Sequence, residues 1–157
     1  KTVHAFEPQR MTYNALCGGI ALSNAENVYA HPFGLGSEEQ SGSQTLNIVS
    51  NDGGGSSICP FSSAASMPIL RTETIVVRTL DSLELNNVCF MKLDVEDNEL
   101  FVLRGGKETI RRCGYPPFIF ENNGEPNIEL FEYIRTDLGY RIFPINTVSN
   151  MYLAAMN

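Results

Sequence analysis

VCFMKLDV (residues 88–95), NELFVLRGGKETIRR (98–112) and PFIFE (117–121) decide how this chain folds. The first run is apolar and β-branched and reads as a strand. In the second, Leu100, Leu103 and Ile110 fall on one helical face, with Asp97 and Glu99 in the first turn and Arg111 and Arg112 in the last, as the helix dipole favours. Gly114 ends that helix, and the third run is a strand closing on Glu121. Strand, helix and strand in this order predict a βαβ unit and a mostly parallel sheet.

Working outward, residues 3–6 form a short apolar strand stopped by Glu7-Pro8. Proline favours the first turn of a helix, and Tyr13, Leu16, Cys17 and Ile20 then make one apolar stripe ending before Asn24. Residues 27–33 read as a second strand, closed by Gly34-Leu35-Gly36. Residues 37–68 are Gly/Ser-rich and read as an insertion, with Leu46, Ile48 and Ile58 flanking a hairpin turn at 51–55. That glycine run lacks a following Lys-Ser/Thr, so it reads as turn chemistry rather than a phosphate loop. Residues 74–80 are a strand, 128–138 a helix, and 140–145 with 151–155 an antiparallel pair.

The 157 residues make one domain's worth of chain, here read as a single unit. Eleven basic against eighteen acidic residues give a net charge of −7, which disfavours nucleic-acid binding. No apolar run approaches the ~20 residues of a membrane span. The four cysteines (Cys17, Cys59, Cys89, Cys113) are scattered and the histidines number two, so no zinc site is expected. They read as free thiols of a reducing, cytoplasmic compartment.

Ligands of open parallel sheets bind beyond the carboxyl ends of the strands. Three strands end there in a carboxylate, Glu7, Asp94 and Glu121, and acidic residues are poor strand formers. Strand periodicity puts Lys92, Asp94 and Glu96 on one face, against the apolar continuity a buried strand should show. A buried ion pair explains the charges, but not their place at a strand end. The three carboxylates are therefore expected to converge on one rim and define a pocket. His31 and His4 read as structural residues, His4 in the core or at a sheet edge.

In order along the chain, Phe6-Glu7-Pro8, Asn24, Gly34-Leu35-Gly36, Thr79-Leu80-Asp81-Ser82-Leu83, Lys92-Leu93-Asp94-Val95-Glu96, Glu99-Leu100, Leu103-Arg104-Gly105 and Phe120-Glu121 resemble the FkbM-type methyltransferases. The resemblance implies an α/β, Rossmann-like class I methyltransferase sheet with an antiparallel C-terminal strand. It also implies S-adenosylmethionine as cofactor and O-methylation of a hydroxyl on a small molecule or sugar. By the same resemblance Glu7 binds the ribose hydroxyls, Gly34 and Leu35 line the adenine, and Asp94 and Glu96 face the transferred methyl. Asp94 is then expected to take the acceptor proton, with Glu96 and Glu121 orienting the substrate. Lys92 tunes their charge, or the carboxylates jointly hold a divalent cation. Two rival readings are a catalytically degenerate interaction module and an NAD-dependent oxidoreductase.

The chain departs from the family pattern at Asp97, where glycine is usual, and in having six residues before Glu7. The family's glycine-rich first strand and helix belong there. Their absence would leave two strand edges unpaired, at about 1–3 kcal/mol for each dry polar group. A segment upstream of Lys1, a rearranged strand or a second copy in a homo-oligomer is expected to fill the gap.

Overall fold

A computed structural model describes residues 1–50, 54–58, 67–123, 127–147 and 150–156. The chain runs β1 (Val3–Phe6), α1 (Arg10–Leu22), β2 (Val28–His31), β3 (Gly34–Leu35), β4 (Gly42–Ile48), β5 (Arg71–Arg78), β6 (Met91–Leu93), α2 (Glu99–Arg104), α3 (Lys107–Arg112), β7 (Phe118–Glu121), α4 (Ile128–Glu132), β8 (Arg141–Pro144) and β9 (Met151–Ala155). The strands form three sheets, ordered β1-β2, β3-β5-β4 and β6-β7-β9-β8.

The fold is therefore mixed α/β, but not the single, mostly parallel sheet expected. Parallel pairing joins β1 to β2, β3 to β5 and β6 to β7. Antiparallel pairing joins β4 to β5, β7 to β9 and β8 to β9, and the C-terminal pair matches the sequence reading. Among the described residues no strand lies between β1 and β6. The edge of β1 is not dry, because Val3 and His4 are exposed and Ala5 and Phe6 half-buried. The burial cost anticipated for that edge is thus not incurred.

The main core lies between the β6-β7-β9-β8 sheet and α2, α3 and α4. Phe118 and Phe120 of β7 are fully enclosed, with Leu103, Ile110, Leu130 and Ile134 packed beside them. Alternation along β5 turns Ile75 and Val77 inward to meet Leu46 and Ile48 of β4, a second small core that Ile58 helps cover. The return expected around Ile58 is limited to one antiparallel bridge, Asn47 to Ser57, and the long antiparallel partner of β4 is β5. Seven registered pairs run from Gly42–Val77 to Ile48–Arg71. Residues 51–53 of the expected turn, and Cys59, lie outside the described residues.

Several expected elements are shorter or divided. Gly34-Leu35 does not merely close the second strand; it pairs with β5 as a strand of its own. The strand over 88–95 shrinks to β6. The helix over 98–112 is divided into α2 and α3 at Gly105-Gly106, where the Gly36 carbonyl oxygen comes so close that a Cβ on Gly105 would collide with it. The close approach that forbids a side chain lets the Asp81 N–H reach the Gly105 oxygen at 2.9 Å. The helix over 128–138 becomes α4 followed by a π-turn at Tyr133–Asp137. Among the described residues no helix is long and apolar enough to cross a membrane.

Candidate functional site

Parallel pairing of β6 with β7 matches Leu93 to Phe120, so the residues that follow, Asp94 and Glu121, leave the sheet side by side. The two carboxyl groups are close enough to repel each other when both are charged. Burial pushes the Glu121 carboxyl above its ordinary range, and the neighbouring Asp94 pushes the same way; Asn123, bonded to it, pulls back. Lys92 Nζ lies 2.5 Å from Asp94 Oδ2, a pair still open to solvent. Asn150 Nδ2 in turn donates to Asn123 Oδ1 at 3.3 Å, steadying the residue that holds Glu121.

The chain turns sharply after β6. Glu96 and Asp97 both take left-handed backbone conformations, with φ of 51° and 69°. Left-handed backbone favours glycine, and Asp tolerates it better than most residues. The turn sends the Glu96 carboxylate toward the Gly/Ser segment, where Oε1 accepts the Gly55 N–H at 2.9 Å.

Glu99, which the sequence reading used as a dipole partner and in the family-like run but gave no place in the site, is the residue it missed. It is 4% exposed and accepts the Val95 N–H at 3.1 Å. Burial raises its carboxyl to about 7; hydrogen bonds from backbone N–H groups oppose the rise, and Asp97 and Glu121 add to it. The signal was present: Glu99, Val102 and Leu103 are spaced i, i+3, i+4, which puts the carboxylate on the stripe that packs inward.

Glu7 sits at the end of β1. Its N–H donates to the His31 oxygen at 3.1 Å, and its Oε1 accepts the Gln9 N–H at 2.8 Å. Burial raises its pKa, against that hydrogen bond. Gly34 faces the neighbouring Pro8: a Cβ there would lie 3.5 Å from Pro8 Cγ. Leu35 is tied to the other group, since Asn98 Nδ2 donates to its oxygen at 3.1 Å. Asn98 and Gln40 hold each other by reciprocal amide bonds at 2.9 and 3.3 Å.

Two clusters result. Lys92, Asp94 and Glu121 meet at the β6-β7 ends, with Glu96 and Glu99 on the turn behind them. Glu7 and Gly34 meet beside Pro8, and Leu35 bridges toward the first cluster through Asn98. Asp94 and Glu121 stand together at adjacent strand ends, while Glu7 ends a strand of another sheet, and among the described residues no hydrogen bond or ion pair joins it to either. His4 is exposed on the β1-β2 face, not in a core, with its Nδ1 3.0 Å from His31 Nε2. A separate cleft of about 230 Å³, lined by Ser37, Glu39, Thr79, Asp81 and Arg104 among others, includes none of these site residues. Among the described residues no group of three or more His, Cys, Asp or Glu could hold a metal ion.

An α/β chain with carboxylates at parallel strand ends is the framework of many group-transfer enzymes. The family model for the methyltransferase FkbM domain matches residues 1–142, so the chain belongs to that family. No curated protein matches it at a significant level. Among solved structures, the crystal structure of methyltransferase FkbM from Methylobacillus flagellatus KT is similar in fold, with TM-score 0.65 and 19% identity. The similarity covers 98% of this chain and 36% of that one, so the chain spans about a third of the length of that structure.

Proposed function

We propose that the chain is part of an S-adenosylmethionine-dependent O-methyltransferase acting on a hydroxyl of a small molecule or sugar. The observation that carries this reading is the side-by-side exit of Asp94 and Glu121 from the parallel β6 and β7 strands, beside Lys92. When bound, the cofactor would supply an activated methyl group open to in-line attack, with a neutral thioether as the leaving group. Such a displacement needs an aligned, deprotonated acceptor. Asp94 accepts the hydroxyl proton, Glu121 orients the acceptor, and Lys92 offsets the negative charge that gathers there.

The donor set at β1 suits the cofactor's ribose. A carboxylate can accept two hydrogen bonds from a vicinal diol, and Glu7 keeps Oε2 beside the Oε1 that Gln9 holds. Gly34 and Leu35 follow on β3, where the adenine would lie. The strand orders β2-β1 and β6-β7-β9-β8 are consistent with a class I methyltransferase sheet divided between its second and fourth strands. Residues 1–157 then belong to a single methyltransferase domain, in which the 37–68 segment borders the acceptor.

Calorimetry on the full-length gene product tests the reading. S-adenosylmethionine and S-adenosylhomocysteine should bind, and a nicotinamide dinucleotide should not; the reverse pattern, or no binding, overturns it. Asp94→Asn should then cut turnover at least a hundredfold while leaving cofactor affinity within about threefold.

A further inference from the structure

The methyltransferase reading gives Glu96 a role at the substrate, but its surroundings assign it a different task. Its carboxylate Oε1 accepts the Gly55 N–H at 2.9 Å, and its main-chain oxygen accepts the Ser57 hydroxyl at 2.8 Å. One residue thus grips the Gly/Ser segment twice, two positions apart. Ser57 is itself bridged to β4: its oxygen accepts the Asn47 N–H at 3.1 Å and its N–H donates to the Asn47 oxygen at 3.2 Å. The grip therefore connects the β4 strand to the turn that carries Asp94. It depends on the left-handed backbone at Glu96, which turns that residue away from the direction of β6. Hydrogen bonds from an N–H to a charged acceptor are about twice as strong as neutral ones.

Ser56 lies between the two gripped residues, and its hydroxyl is buried without a partner among the described residues. Leaving a buried hydroxyl unsatisfied is costly, so bonds to neighbouring residues have to offset it. Glu96 supplies two of them, Asn47 two more, and the Ser50 hydroxyl donates to the Gly54 oxygen at 2.7 Å.

We infer that Glu96 is a positioning residue: it clamps residues 54–57 onto the Asp94 turn and makes that segment part of the rim. Its importance for catalysis rests on the methyltransferase reading; the clamp itself does not. Amide hydrogen exchange on the full chain, followed by NMR at Gly55, tests it without any ligand. Glu96→Ala should speed exchange at Gly55 at least tenfold. Glu96→Gln, whose amide oxygen can accept the same N–H, should stay within threefold of the parent chain. Unchanged exchange in Glu96→Ala, or equal acceleration in both variants, overturns the clamp. Titration with S-adenosylhomocysteine in parallel keeps the two ideas apart: failure to bind with the exchange pattern intact sinks the enzyme assignment and leaves the clamp standing.

Discussion

Glu99 is held in the protein at a cost that depends on pH. Its carboxyl titrates near 7 in the folded chain against 4.5 as an ordinary side chain, chiefly because burial disfavours the charged form. Below pH 4.5 both folded and unfolded chains keep the proton, and nothing is lost. Between 4.5 and about 7 the unfolded chain releases it while the folded chain holds it, so stability falls as pH rises, by about 3 kcal/mol in total. Glu99→Gln removes the ionisation and keeps an acceptor for the Val95 N–H. Urea denaturation should show the variant matching the parent at pH 4 and exceeding it by up to ~3 kcal/mol at pH 8. A constant difference across that range would mean that the carboxyl does not titrate as stated. Asp97 presents the opposite case, a residue strained by its backbone. At φ 69° glycine relieves the strain, and removing the charge also eases Glu99. Asp97→Gly should stabilise by about 0.5–1 kcal/mol and Asp97→Ala should destabilise, read as shifts in urea midpoint.

Elements follow the sequence where one local pattern dominates and depart from it where a distant contact intervenes. The strand character of β5 and the strand closing on Glu121 are local, and both were legible. The division of residues 98–112 was not, because the contact made at its break is with Gly36, far away in sequence. Here Gly105 has no room for a methyl group, and Asp81 completes the join by accepting the Thr109 N–H at 2.6 Å and the Glu108 N–H at 3.2 Å. The family-like run from Thr79 to Leu83 is thereby explained structurally: it docks the end of β5 on the α2-α3 junction. Gly105→Ala should cost roughly 1–3 kcal/mol by overpacking, and a thermal melt unchanged from the parent would show that the junction can open. The candidate site divides in the same way. Asp94 and Glu121 end neighbouring parallel strands, so strand-end reasoning paired them correctly. Glu7 ends a strand whose sheet does not include β6, and no local feature of the sequence reports that.

Across the whole molecule, burial is uneven. Helix α1 has no buried residue; its Tyr13-Leu16-Cys17-Ile20 stripe is only half-covered, and the two-stranded β1-β2 sheet beside it is the least independently stable kind. Phe118 and Phe120 of β7, in contrast, are wholly enclosed. What ties the first layer to the rest is sparse: the Arg10 N–H to Glu73 Oε2 at 3.2 Å, Gly34 against Pro8, and Arg78 over the Phe33 ring at 5.2 Å. Local opening follows buried contact, so amides of α1 should exchange at least a hundredfold faster than those of β7, a difference of about 3 kcal/mol. Equal protection would show that the two layers unfold as one. The same measurement bears on function, because Glu7 lies in the weak layer and Asp94 in the strong one. A ligand held by Glu7 stabilises only the closed layer, and at a hundred times its Kd it should slow α1 exchange by about a hundredfold while leaving β7 nearly unchanged. S-adenosylhomocysteine producing that selective slowing would place the ribose contact on β1. Slowing confined to β6 and β7 would place the ligand at the carboxylate rim instead and remove Glu7 from the cofactor site.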